Sequence, residues 1–294
     1  MDKRAEKPAV VELNDAAAGH SKDAERAETP LEALSSLSTV VVVWLFLMGF
    51  VFQNMEIPSA SMENTLLIGD HVVVDRSTLA PPTKWAPFVR YRPVQRGDVV
   101  VFYKPHSEAP DLILVKRAIA VPGDRVHLRK GVVYINGIAQ SEPFAIQPRD
   151  DNYLSYRDDF PSDLAGLRRQ AINRLEVLAD CQDPTCLTQK AWANRTIAWT
   201  DELPGFIQGE DLVVPPGNVF VMGDNRTDSL DGRFWGFVPQ ENIMGRPLFV
   251  YWSFKTPEDQ EDKTGMGDRI GFIFHVILHI FDGTRWSREL HVIR

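Results

Sequence analysis

The sequence predicts a mainly β protein: an antiparallel β-sheet catalytic domain carrying an inserted smaller region and preceded by one N-terminal transmembrane helix. Three observations carry that prediction. Short β-branched runs recur between Gly-Asp and Asn-Gly turns, a single uncharged run of membrane length lies near the N terminus, and strand rhythm gives way to helical spacing between about residues 140 and 210. A chain of 294 residues can bury a large core, and its 20 Pro and 19 Gly favour many turns over a helical bundle. The formal net charge of −8, with no long basic stripe, argues against a nucleic-acid surface.

Residues 1–36 are polar, poor in large apolar side chains, and read as a disordered cytoplasmic tail. The uncharged run LSTVVVVWLFLMGFVF begins at Leu37, and with Leu34 and Met55 at its flanks it reaches about 20 residues, enough for one bilayer span over residues 37–55. A cleaved secretory signal fits poorly, because the leader is long and acidic and a proline adjoins the supposed cut after Ser61. Lys22 and Arg26 precede the run and no basic residue follows it until Arg76, so the tail is placed in the cytoplasm and the body, residues 56–254, outside the membrane. A close pair, Cys181 and Cys186, suits an exported segment that can form a disulfide.

Within the body, strands are expected at residues 71–76, 98–104, 112–121, 125–130 and 132–135, with Asn136-Gly137 as a hairpin turn. Residues 76–96, holding Pro81, Pro82, Pro87, Pro93, Trp85, Phe88 and Tyr91, read as an irregular excursion with exposed aromatics. In the insertion, Leu164, Leu167, Ala171, Leu175 and Leu178 fall at helical spacing, with Ser162 as the N-cap. Strands resume at residues 211–214 and 218–222 and close the domain at 248–254. The C-terminal extension, residues 255–294, contains an apolar run at 270–281 that reads as a final strand or an interfacial helix. His275 and His279 would share a helical face, but no carboxylate follows the first as in a zinc protease motif, and no metal is expected.

The chemistry gathers in three stretches. Ile57-Pro58-Ser59-Ala60-Ser61-Met62 follows directly on the span and offers a serine in a proline-led turn as a nucleophile. Lys116 and Arg117 interrupt an otherwise apolar strand, and alternation sends them to opposite faces, so one must point toward the core. Lysine can be neutralised by desolvation and arginine cannot, which makes an inward Lys116 the natural general base. An unperturbed lysine is neutral in only about one molecule per thousand near pH 7.5, so burial must lower its pKa by about 3 units. Residues 223–236, GDNRTDSLDGRFWG, end a strand with alternating Asp and Arg that can lock a rigid turn and leave Ser229 to orient a neighbour.

Taken together, Pro58-Ser-Ala-Ser-Met62, Gly69-Asp70 with Val74-Asp-Arg76, Lys116-Arg117 with Gly123-Asp124, and residues 223–236 resemble the blocks of bacterial type I signal peptidase, the membrane-bound Ser-Lys leader peptidase. The resemblance implies Ser61 as nucleophile, Lys116 as general base, and an oxyanion hole from the Ser61 amide and Ser59 hydroxyl. It also implies Ser229 as the residue orienting Lys116, with Asp231 and Arg233 bracing the site. The implied activity is removal of signal peptides from secreted preproteins at Ala-x-Ala-like sites, on the outer face of the bacterial inner membrane, in contact with membrane lipid and close to the translocation machinery. It calls for no cofactor and no nucleic acid. Two departures stand out: Asn64 where a proline is frequent, and Gly232 where a serine is common. The rival readings are a Ser-Lys peptidase with a narrow client and an inactive β-domain that binds exported chains.

Overall fold

The computed structural model describes residues 29–79, 91–105, 112–256 and 265–293. Trp85 and Phe88 of the expected excursion lie outside them, as does most of the N-terminal tail. The chain divides into two compact units at Leu45 and Phe46. The first holds most of α1 (Pro30–Phe46), whose side chains are all exposed. The apolar helical stretch runs Pro30–Gly49, long and apolar enough to cross a membrane. It begins earlier than residue 37 because Thr29 and Glu32 form a reciprocal cap: Thr29 N–H donates to Glu32 Oε2 at 2.9 Å and Glu32 N–H to Thr29 Oγ1 at 3.3 Å. It also ends earlier than Met55. A π-helical turn, Leu47–Val51, leads into β1 (Phe52–Glu56), which is consumed by pairing with β2 (Asp70–Asp75) from Phe52↔Asp75 to Glu56↔His71.

The second unit is built on two antiparallel sheets. In chain order the strands are β3 (Val99–Tyr103), β4 (Ile113–Ala120), β5 (Arg125–Arg129), β6 (Val132–Ile135), β7 (Ile138–Ala139), β8 (Ile207–Gln208), β9 (Asp211–Val213), β10 (Asn218–Met222), β11 (Val238–Pro239), β12 (Ile243–Ser253) and β13 (His291–Val292). The larger sheet runs β1-β2-β12-β3-β4-β10-β11, with β13 on β12, and the smaller runs β7-β6-β5-β9-β8. The larger sheet is thus split in sequence by the smaller one and the helices, as a return to strands after a helical insert requires. Valine-rich β3 and apolar β4 pair from Val99↔Arg117 to Tyr103↔Ile113 at its centre. Residues 248–253 form only the last part of an eleven-residue strand that begins at Ile243, and Phe254 lies just past its end.

The insertion holds α2 (Ser155–Asp158), α3 (Leu164–Val177) and α4 (Pro184–Glu202), the last two packed on each other. Asp163, not Ser162, caps α3, because its carboxylate accepts from Gly166 N–H at 2.8 Å while the Ser162 hydroxyl donates to the Asp159 carbonyl. Asp183 caps α4 by accepting from Cys186 N–H at 2.9 Å, Pro184 sits in its first turn, and the Cys181–Cys186 disulfide closes its start. Past β12, the run at 270–281 is helical rather than a strand: α6 (Met266–Leu278) is followed by α7 (Ile280–Gly283). Helical spacing sets Phe272 and His275 against Phe254, at 6.3 and 6.0 Å between rings. His275 and His279 do share a face, with ring centroids 4.6 Å apart.

Candidate active site

Ser61 stands in a single turn of 3-10 helix, Ala60–Met62, entered from Ser59 in extended conformation. The turn is pinned below by the buried side chains Ile57, Met62 and Leu66, and Glu63 N–H closes it on the Ala60 carbonyl at 2.9 Å. Its far side is held by the loop after β10, where Asn225 N–H donates to the Ser61 carbonyl at 3.1 Å. The approach is so close that a Cβ added at Gly223 would lie 2.4 Å from the Ser61 carbonyl oxygen and 2.3 Å from Ser229 Oγ. Only glycine fits there.

Lys116 comes from the middle of β4, 4% exposed, with Nζ 2.6 Å from Ser61 Oγ and 3.1 Å from the Val115 carbonyl. Burial lowers its pKa from 10.5 to about 8, against the opposing pull of the Asp231, Asp224 and Asp228 carboxylates. Near pH 7.5 about a quarter of the molecules then carry a neutral amine, against about one in a thousand for a free lysine. Ser59 Oγ lies 3.3 Å from Ser61 Oγ, on the same side of the turn.

Arg117 does take the opposite face, but it is buried as well, at 2% exposure, because β4 is an interior strand covered on both sides. Its guanidinium is met by a fully buried carboxylate, Asp224, at 2.8 and 2.7 Å, and lies over the Phe144 ring at 3.9 Å. Asp224 in turn accepts from Thr65 Oγ1 at 2.5 Å, tying the segment after Ser61 to the loop.

Asp231 and Arg233 form a second wholly buried pair, at 2.9 and 2.8 Å, and Asp231 also accepts from Gly223 N–H at 3.0 Å while capping α5 (Gly232–Trp235). Burial pushes the Asp231 carboxyl up, yet the Arg233 guanidinium and two backbone N–H groups overcome it and leave the carboxyl below its ordinary value. Arg233 Nη2 donates to the Arg226 carbonyl at 3.0 Å, and Arg226 is clamped by Glu142 at 2.6 and 2.7 Å. Ser229 is buried beside Gly223, and its Oγ has no hydrogen-bond partner among the described residues.

Lys116 meets Ser61 directly, Ser59 lies beside Ser61, and Ser229 and the Asp231–Arg233 pair gather around Gly223 next to Ser61. Four contributors were not foreseen. Arg117–Asp224 and Glu142–Arg226 are long-range ion pairs, 107 and 84 residues apart in sequence. Trp192 and Leu230 line the same cleft as Ser61 and Lys116. The Asp and Arg of residues 223–236 were a signal for the first pair, since buried charges need partners; Glu142 and Trp192 had none. Among the described residues, Cys181, Asp183 and Cys186 are the one group close enough to share a metal, and its two sulfurs are bonded to each other.

A serine in contact with a buried lysine, on an antiparallel β scaffold that follows an apolar helix, has the layout of a hydrolase that works beside a membrane. The family model described as signal peptidase, peptidase S26, matches residues 31–252, and the chain belongs to that family of hydrolases. It is 31% identical over 270 residues to the signal peptidase I of Aquifex aeolicus, covering 83% of this chain and 92% of that one. To the signal peptidase I of Buchnera aphidicola from Acyrthosiphon pisum it is 28% identical over 286 residues, 86% of each. A crystal structure of a signal peptidase I from Enterococcus faecalis matches at 25% identity over 53% of this chain and 97% of that chain, with a TM-score of 0.28.

Proposed function

We propose that this chain is a membrane-bound serine endopeptidase that removes N-terminal signal peptides from exported preproteins at Ala-x-Ala-like sites, through a Ser61–Lys116 dyad. The observation that carries the reading is the 2.6 Å contact between Lys116 Nζ and Ser61 Oγ, made by a lysine whose burial leaves its pKa at about 8. In the neutral amine, one N–H donates to the Val115 carbonyl and the lone pair is left for the Ser61 proton.

As Oγ attacks the scissile carbonyl, Lys116 takes that proton and returns it to the departing amine. Water then hydrolyses the acyl-enzyme with Lys116 again as base. The Ser59 hydroxyl and Ser61 amide stabilise the oxyanion. The Ser229 hydroxyl, without a hydrogen-bond partner among the described residues, is available to orient Lys116 once charge develops, and the Asp231–Arg233 pair braces the turn that carries it. No cofactor enters the scheme.

The cytoplasmic tail and single span, with residues 56–254 on the outer face of the inner membrane and 255–294 as an extension, complete the arrangement. Tethering to the bilayer, close to the translocation machinery, puts the enzyme in one plane with preproteins whose signal segments are still in lipid, which raises their effective concentration. The test is cleavage of an Ala-x-Ala preprotein by the detergent-purified full chain beside Ser61→Ala and Lys116→Ala, with the new N terminus read by mass spectrometry. Cleavage after the second Ala, lost in both folded variants, is expected. A folded wild type inert on several preproteins overturns the reading.

A further inference from the structure

β4 pairs with β3 from Ile113 to Arg117, but on its other side β10 reaches only from Arg117 to Ala120. Among the described residues no strand covers that edge of residues 113–116. An extended peptide laid there continues the sheet, and its side chains alternate between the two faces of β4. One face carries Ile113 and Val115, packed with Met55, Ile57 and Met62. The other carries Leu114 and Lys116, and there Leu114 and Trp192 pack against a different core.

Trp192 belongs to α4, in the insertion. With Thr188 one helical turn before it, and Leu230 from the loop, it lines the cleft of about 550 Å³ that also holds Ser61 and Lys116. Its ring is fixed from behind. Lys104 Nζ lies 3.5 Å from the ring centroid, on a side chain only 8% exposed and without a carboxylate partner among the described residues, and Trp235 stands 6.3 Å away. A lysine buried against an aromatic ring, rather than paired with an acid, holds that ring in place at the cleft wall.

We propose that Trp192, backed by Lys104 and flanked by Leu114 and Leu230, forms an apolar subsite for substrate position −2, the residue between the two small ones, and selects a large apolar side chain there. The inference rests on the signal-peptidase reading above. Small residues at −1 and −3 share one parity and face Ile113 and Val115; position −2 has the other parity and faces Leu114 and Trp192. Lys104 acts as a positioning residue, through the ring it holds.

The test uses the detergent-purified full chain and preproteins that differ only in x of Ala-x-Ala, as Gly, Leu or Phe. The wild type is expected to favour Phe over Gly in kcat/KM by at least about tenfold, the low end of what one apolar group in a pocket is worth. Trp192→Ala should bring that ratio near one, and Lys104→Met should lower it chiefly through KM of the Phe substrate. Leu230→Ser changes a half-exposed side chain, so it is expected to fold even where Trp192→Ala does not, and should lower the ratio in part. A wild-type ratio near one, a ratio unchanged in folded variants, or a loss of discrimination at −1 or −3 instead overturns the subsite. A folded wild type that cleaves no preprotein overturns the signal-peptidase reading, and the subsite with it.

Discussion

Replacing Lys116 with methionine should abolish cleavage and yet stabilise the protein at neutral pH. Methionine keeps the length and packing of the side chain and removes the ammonium. The folded state lowers the lysine pKa from 10.5 to about 8 by burial, so below pH 8 the side chain is charged in both folded and unfolded chains, and the folded state bears the cost of burying that charge. The difference is worth about 3 kcal/mol at 1.36 kcal/mol per pH unit. Because the folded pKa is the lower one, the unfolded chain binds more protons between pH 8 and 10.5, and the cost fades as pH rises through that window. Loss of the hydrogen bonds to the Val115 carbonyl and Ser61 Oγ takes back about 2 kcal/mol. Urea unfolding of the detergent-solubilised protein, followed by tryptophan fluorescence, should therefore show Lys116→Met more stable than wild type by about 1 kcal/mol at pH 7 and less stable than it by about 1 kcal/mol at pH 10. A variant less stable at pH 7, or a difference that does not move with pH, would refute a buried, readily neutralised lysine.

Three further outcomes follow from the same geometry. Wild-type kcat/KM should rise tenfold per pH unit and level off with a half-point near pH 8, and Asp228→Asn should move that half-point to lower pH, since the Asp228 carboxylate favours the charged lysine; a profile set by a group near pH 6.5 would point to a histidine instead. Ser59→Ala should cost about a hundredfold in kcat with little change in KM, read with saturating preprotein, because the hydroxyl 3.3 Å from Ser61 Oγ is needed only as charge builds on the oxygen. Gly232→Ser should destabilise the protein by about 1–3 kcal/mol, measured by the same urea titration, with Phe220→Leu restoring part of it.

The reason for that last effect shows what sequence could and could not reveal. A Cβ at Gly232 would stand 2.8 Å from both the Phe220 ring and the Val221 carbonyl, so the glycine here answers to the phenylalanine beneath it. Asn64, the other departure from the family's pattern, is explained in a similar way. Its φ of 83° lies where an L residue other than asparagine or aspartate is strained and where proline cannot go, and its amide donates to the Phe144 carbonyl at 2.8 Å. Rigidity that a proline ring would supply locally comes instead from a segment 80 residues away.

Ser61 and Lys116 were legible because each announces itself locally, one by a proline-led turn after an apolar run, the other as a lysine inside an apolar strand. The alternating strands were legible for the same reason, period two being written in the residues themselves. What sets the cleft's shape was not. Glu142 meets Arg226 across 84 residues, and Trp192 arrives on a helix with few large apolar residues and meets Lys104 and Trp235 from distant parts of the chain. The residues proposed for the chemistry are marked by their neighbours in sequence, and those proposed to choose a substrate by their neighbours in space. The proposed −2 wall, built from the insertion, can therefore change with the insertion while the Ser61–Lys116 pair and its strands stay as they are.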